Sequence, residues 1–289
     1  MLNKLKNFIN ENQLVKANDR LLLAVSGGKD SVVMTHLLHQ LNYTFALAHC
    51  NFKLRGEDSD GDEKFVKELA NKLNVPFYSK SFDTKIYAKE NKLSIQMAAR
   101  DLRYEWFDAL CSKEGYQKIA TAHHQDDSIE TLLIKKSRKA SIGALQGILV
   151  KNANLIRPLL AFNVKQIQNY TSENSIEYRE DKSNLSNKYQ RNSIRKTLKF
   201  ESQERRVQYL DEIERNKKSY SKLIEKCDRY KNMYCEDKND GLLLPFKYLL
   251  EQEEKQEILY ELLKHFGPFS WRDVFSLLES QVGRFVANS

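Results

Sequence analysis

Short apolar runs alternate with apolar residues at helical spacing over residues 21–134. Leu21-Leu22-Leu23-Ala24-Val25 follows the turn-like Asn18-Asp19-Arg20 and predicts a strand. Val33, Met34, Leu37 and Leu38 then share one helical face. Tyr43 to His49, Val75 to Lys80 and Lys118 to Ala122 predict three more strands. Helices are predicted from about Ser59 to Leu73 with Asn74 as the stop, over 83–91, over 94–113, and after the 123–127 cluster through Ile134. Met1 to Ile9 reads as a short amphipathic helix, and residues 50–59 as polar and irregular. This alternation predicts an α/β fold with a doubly wound parallel sheet. Ligands of such sheets sit beyond the carboxyl ends of the strands, where residues 26–31, His49 and 123–127 all fall.

The character changes from about Glu201. Residues 201–236 predict one or two long amphipathic helices, and Gly241 to Phe246 a break. Lys247 to Phe266 is again helical, Gly267-Pro268 ends it, and Ser270 is placed as the cap of a helix reaching about Leu278. The expected organisation is therefore a sheet domain over 1–200 and a small helical domain over 201–289, without internal repeats or a low-complexity linker.

Composition narrows the class. Of 289 residues, 30% are charged and 41% hydrophobic, an ordinary globular balance. No run approaches the ~18 apolar residues of a membrane span, and the first residues lack the apolar core and cleavage site of a signal peptide. Cys50, Cys111, Cys227 and Cys235 form no Cys-x-x-Cys pair, so neither a zinc ribbon nor an iron–sulfur cluster is expected. Scattered thiols predict a reduced, cytoplasmic protein. The net charge of +8 is localised: residues 1–134 balance to 0, residues 135–200 carry +10, and residues 201–289 carry −2. A concentrated excess points to a polyanionic partner, against the alternative of a merely solvated basic face.

Chemistry concentrates first in Ser26-Gly27-Gly28-Lys29-Asp30-Ser31, between the first strand and its helix. A glycine pair lets backbone N–H groups converge on an anion, and the helix start adds partial positive charge. Two serine hydroxyls and the Lys29 amine add donors, and Asp30 offers a hard oxygen to a metal ion. The pattern is neither the Walker motif nor Gly-x-Gly-x-x-Gly, and it suits a polyphosphate. His123-His124-Gln125-Asp126-Asp127 stands at the end of the fourth strand. Asp126 or Asp127 is expected to share Mg²⁺ with Asp30, the other Asp capping the next helix; zinc is less suited because adjacent histidines diverge. Arg191 and Arg195 lie four apart and can grip phosphates or a base edge, while Asn184 and Asn192 can donate and accept. A capped, charged helix start is the alternative there.

These segments carry a resemblance. The glycine loop is similar to the pyrophosphate-binding loop of the PP-loop ATPases, which split ATP between its α and β phosphates and adenylate a substrate. Ala122-His123-His124 with Asp127 and Glu130-Thr131 resembles the Ala-His-His-x-x-Asp-x-x-Glu-Thr pattern of the members that modify tRNA anticodons. His49-Cys50-Asn51-Phe52-Lys53-Leu54-Arg55 resembles their His-x-Asn-His-x-Leu-Arg segment, with Phe52 where a second His is common. Ala99-Arg100-Asp101-Leu102-Arg103-Tyr104 matches their Ala-Arg-x-x-Arg-Tyr helix. Asp181-Lys182-Ser183-Asn184, then Arg191-Asn192-Ser193-Ile194-Arg195, resembles the signature of tRNA(Ile)-lysidine synthetases. One stretch departs: where that family has Leu-Leu-Arg-Gly-Ser-Gly-x-x-Gly-Leu, Arg138 and Leu145 fit, but Lys139, Ser141 and Ala144 replace glycines. Longer members also carry a further C-terminal domain for which this sequence has no room.

The resemblance implies an adenine nucleotide α-hydrolase-like, Rossmann-like sheet and an ATP-dependent ligase of the cytoplasm. The expected reaction joins free L-lysine to C2 of the wobble cytidine of the CAU-anticodon isoleucine tRNA through an adenylated base. Residues 26–31 would bind ATP, and Asp30 with Asp127 or Asp126 would place Mg²⁺. Arg100 and Arg103 would brace the α-phosphate or the base, or else pin Glu105 or Asp108. His123 or His124 would take the amine proton. Arg138, Asn184, Arg191, Asn192 and Arg195 would hold the tRNA. The alternatives are a tRNA thiolation enzyme, for which the cysteine pattern is wrong, a non-catalytic nucleotide-dependent RNA-binding protein, and a small-molecule amidotransferase.

Overall fold

The computed structural model describes residues 1–180, 190–238, 241–267 and 269–279. The chain forms two compact units, Met1–Ile134 with Gly147–Arg206, and Lys135–Gln146 with Val207–Ser289. The sequence suggests one boundary after residue 200. In the structure the chain passes between units three times, because Lys135–Gln146 belongs with the helical residues.

The first unit is built on a six-stranded sheet. Its strands are β1 (Leu21–Ala24), β2 (Phe45–Asn51), β3 (Phe77–Ser81), β4 (Lys118–Ala120), β5 (Lys151–Asn152) and β6 (Leu155–Ile156), in spatial order β3-β2-β1-β4-β6-β5. All neighbouring pairs are parallel except β5 with β6. The helices of this unit are α1 (Leu2–Glu11), α2 (Lys29–Gln40), α3 (Glu57–Leu73), α4 (Thr84–Glu90), α5 (Ile95–Glu114), α6 (Gln125–Ser137, its last turn in the second unit), α7 (Val164–Glu173) and α8 (Gln190–Phe200).

Strand alternation divides the core between the two faces of the sheet. Leu21, Leu23, Phe45, Leu47, Ala120 and Ile156 join one cluster, with Leu5 and Ile9 of α1, the 33, 34, 37, 38 face of α2, Val66 of α3 and Ile167 of α7. The intervening Leu22, Ala46, Ala48, Ile119 and Leu155 join a second, with Phe107, Leu110 and Cys111 of α5. Both faces are thus covered, as a doubly wound sheet requires. Helix ends follow local chemistry. Asn74 ends α3 in the left-handed region, Ser94 accepts from Met97 N–H to cap α5, and Gly115 closes that helix.

In the second unit, α9 (Gln203–Tyr234, its first turn in the first unit) is one helix of 32 residues. The predicted break contains β7 (Glu236–Lys238) and β8 (Gly241–Leu243), an antiparallel pair. The predicted 247–266 helix is split into α10 (Phe246–Leu250) and α11 (Lys255–Leu263), and α12 (Trp271–Ser276) follows. Leu223, Cys227 and Tyr230 of α9 pack with Leu249, Ile258, Leu259 and Val274. Ser270 holds the cap position of α12 through its backbone carbonyl, which accepts from Asp273 and Val274, with no side-chain cap bond. Of the residues that depart from the resembled glycine-rich pattern, Lys139 adopts a left-handed φ of 51°, whereas Ser141 has an ordinary φ of −61°. Among the described residues no helix is long and apolar enough to cross a membrane.

Candidate active site

Strand order reverses at β1, which lies between β2 and β4, so a crevice opens beyond the carboxyl ends of β1 and β4. The glycine loop leaves β1 there and the histidine–aspartate cluster leaves β4. A cavity of about 740 Å³ is lined by Ser26, Gly28, Lys29, Asp30, Ser31, His123, Asp127 and Arg195, and also by Cys50, Phe52, Arg103, Tyr178, Arg179 and Glu180.

The loop is shaped by its own serines. Ser31 Oγ donates to the Gly28 carbonyl at 2.8 Å, and Ser26 N–H and Gly28 N–H turn inward to Ser31 Oγ and Ser26 Oγ, each at 3.3 Å. Gly27 has φ +88°, a conformation that L side chains rarely adopt, and a Cβ there would meet Phe65 and Val66 of α3 at 3.5 and 3.6 Å. Gly28 precedes α2 and no side chain caps that helix, so its N-terminal dipole faces the cavity.

Asp30 stands in the first turn of α2, and its Oδ1 is buried without a hydrogen-bond partner. Burial raises its carboxyl above the ordinary aspartate range; His124 and Lys29 oppose the rise, and Asp127 adds to it. The Asp127 carboxylate accepts from His124 N–H at 3.0 Å and from Arg195 Nη2 at 3.1 Å. Asp126 is used differently. One of its oxygens accepts from Val164 N–H at 2.8 Å at the start of α7, and the other pairs with Arg206. That geometry makes Asp126 a strut between α6 and α7, and leaves Asp127 as the cluster's carboxylate on the cavity.

The two histidines separate as well. His123 lines the cavity, with Nδ1 3.0 Å from Thr121 Oγ1. His124 is buried, its Nε2 3.7 Å from both Asp30 and Asp127 and its Nδ1 3.7 Å from Asp126, beyond hydrogen-bond reach. His49 is also buried, and its Nδ1 donates to the Val25 carbonyl at 2.8 Å. Burial lowers its pKa, so it packs as a neutral ring.

Asp30 and Asp127 fit a hard cation. Both present oxygens, both approach His124, and the orphaned Asp30 Oδ1 has capacity to spare. Among the described residues no set of three or more His, Cys, Asp or Glu side chains is arranged to hold a metal. An ion here therefore depends on oxygens from a substrate and from water.

The remaining expected residues divide. Arg103 borders the cavity, its guanidinium 5.3 Å from the Phe52 ring centre, and Phe52 stacks on Phe82 at 5.6 Å. Arg100 is exposed on α5 over Tyr104 at 4.8 Å. Neither arginine pins Glu105 or Asp108 in the ion pairs of the described residues. Arg138 is exposed in the second unit. Asn184 lies outside the described residues, as do the side chains of Arg191 and Asn192. Arg195 joins the site itself, bonding Asp127 and, through Nε, Glu130 at 2.5 Å.

Glu130 is absent from the sequence-derived site residues, although it is nearly fully buried and one helical turn beyond Asp127. Its i, i+3 spacing from Asp127 is the signal that places both on one face. Asp62 is likewise absent, yet it binds Arg55 and Arg179, each at 2.6 Å.

The PP-loop domain matches residues 1–201, and the TilS substrate binding domain matches residues 237–289. A tRNA(Ile)-lysidine synthase of Chlorobaculum tepidum is 37% identical over 95% of this chain and 87% of its own length. Another, from Bacteroides thetaiotaomicron, is 43% identical over 66% of this chain, and the chain spans only 45% of that relative. A solved U34-tRNA thiolase from Methanococcus maripaludis, with its [4Fe-4S] cluster, has a TM-score of 0.58 over 74% of this chain and 77% of its own, at 17% identity, a likeness of fold.

Proposed function

Because the chain belongs to the tRNA(Ile)-lysidine synthase family of PP-loop proteins, we propose that it ligates L-lysine to the wobble cytidine of the CAU-anticodon isoleucine tRNA. ATP is consumed, and AMP and pyrophosphate are released. One observation carries the reading: the glycine loop, Asp30 and Asp127 share a cavity with Arg195, the last residue of the lysidine-synthetase signature. A nucleotide loop and an RNA-recognition segment meeting at one cavity suit transfer of AMP to a base.

In this reading Ser26, Gly27, Gly28, Lys29 and Ser31 hold the departing pyrophosphate, and Lys29 neutralises part of its charge. Asp30 and Asp127 would hold Mg²⁺, which would supply positive charge to offset that of the phosphates. O2 of the cytidine attacks the α-phosphate, and the adenylated ring then accepts the ε-amine of lysine at C2 with loss of AMP. The amine must be neutral to attack. His123, on the cavity wall, is better placed than the enclosed His124 to take its proton. Arg103 braces the α-phosphate or the base from the cavity lining, and Arg100 stands outside the cavity as a weaker candidate. Arg138, Asn184, Arg191 and Asn192 contact the tRNA, whose anticodon bases can be splayed out for reading. Arg195 links that tRNA-contacting segment to the nucleotide site by holding the Asp127 and Glu130 carboxylates, and its own charge is spent on them. The reaction takes place in the cytoplasm, where its thiols stay reduced.

The test uses the purified chain with ATP, labelled L-lysine and the CAU-anticodon isoleucine tRNA. The expected products are AMP and lysine-labelled tRNA. Pyrophosphate release without lysine transfer, or sulfur incorporation into the tRNA, overturns the proposal.

A further inference from the structure

We propose that Arg179 is a positioning residue for the pyrophosphate loop, acting through the peptide between Gly27 and Gly28. The inference rests on the loop's being the pyrophosphate holder and adds the device that aims it. A trans peptide is planar, so the Gly27 carbonyl and the Gly28 N–H point in opposite directions. Arg179 N–H donates to the Gly27 carbonyl at 3.0 Å. Gly28 N–H is thereby turned to the other side, where it reaches Ser26 Oγ at 3.3 Å and Gly28 borders the cavity. That bond is long for N–H···O, so a phosphate oxygen competes well for the donor.

Arg179 is itself anchored. Its Nε donates to Asp62 Oδ1 at 2.6 Å, and Asp62 Oδ2 accepts from Arg55 Nη2 at 2.6 Å. Asp62 is buried on α3, the helix whose Phe65 and Val66 back Gly27. Gly61 leaves room for the guanidinium, since a Cβ there would come within 2.9 Å of Arg179 Nη2. One helix thus supplies both the floor of the loop and the anchor of the strand of chain that aims it. Tyr178, Arg179 and Glu180 border the cavity immediately before the lysidine-synthetase signature.

Gly61→Ala and Arg179→Gln test this in the full chain, with pyrophosphate and AMP as separate calorimetric probes. AMP has no β-phosphate to occupy the loop. Each variant is expected to weaken pyrophosphate binding about tenfold, the scale of one charge-assisted hydrogen-bond anchor, and to leave AMP affinity as in the wild type. Gly61→Ala is expected to melt close to the wild type, because the helix preference of alanine offsets the disturbed Arg179–Asp62 pair and Arg55 still holds Asp62. Wild-type pyrophosphate affinity in both variants overturns the inference, as does a parallel loss of AMP affinity. A wild-type chain that binds no pyrophosphate removes the loop reading instead. Neither probe requires tRNA or lysine, so failure of lysidine formation is a separate result.

Discussion

Arg195 Nε donates to Glu130 Oε1 at 2.5 Å across 65 residues of sequence, and the same guanidinium reaches Asp127 at 3.1 Å. A basic residue of the RNA-like signature thereby bridges two carboxylates at the nucleotide site. Arg195→Ala leaves Glu130 buried without this partner, and stability is expected to fall by about 1–3 kcal/mol, towards the lower end because the arginine side chain is 39% exposed. Adding Glu130→Gln should recover part of that loss in a denaturant-melt cycle. The salt slope of tRNA binding should change little, since this charge is already compensated. A slope shallower by about one unit returns Arg195 to the RNA surface.

Asp30 is strained electrostatically in the ligand-free protein. Burial raises its folded pKa above the unfolded value, so its stabilising contribution is complete only below about pH 4 and is lost as pH rises through the folded pKa. Asp30→Asn should therefore melt higher than the wild type at pH 7 in EDTA, with the difference shrinking as the pH falls towards about 4. Adenylation should drop by about a hundredfold or more, with tRNA binding nearly intact. A variant that melts lower at pH 7 contradicts this assignment.

Gly27→Ala places a side chain at φ +88° against α3. The left-handed conformation costs roughly 1–2 kcal/mol, and the displaced loop should lose pyrophosphate affinity. Thermal melting and calorimetry read the two effects separately.

Cys50 faces the cavity, but burial pushes its thiol up to about 12, against the pull of Arg103. It stays protonated at pH 8 and makes a poor nucleophile. Cys50→Ser should retain lysine transfer within about twofold, since an inert thiol contributes packing alone. Loss of an accompanying sulfur transfer would instead support a thiolation enzyme.

The sheet was legible in the sequence because β1, β2 and β4 are apolar runs buried on both faces, and the α2 face at 33, 34, 37 and 38 is strictly helical. The strands β5 and β6 are two residues each, and only pairing with β4 and with each other defines them. The helix α7 has a capping box, Asn163 with Gln166, but is not among the elements that the hydrophobic pattern predicts. Within the site, spacing placed Asp30 and Asp127 on one sheet edge but left Asp126 undecided, because only the distant Val164 and Arg206 engage that carboxylate. Arg179 and Asp62 are 117 residues apart, and no local pattern pairs them.

The excursion of Lys135–Gln146 into the helical unit also sets an order of events during synthesis. Ile142 packs with the helical core, and a Cβ on Gly143 would lie 2.8 Å from the Tyr220 ring, so this stretch leaves the ribosome about 80 residues before its receptor exists. At roughly 5–20 residues per second that is a wait of several seconds. Meanwhile β5 and β6 emerge and complete the sheet. The nascent chain therefore completes the strands of its nucleotide-binding half while a basic stretch carrying Ile142 still waits for the helical core it packs against.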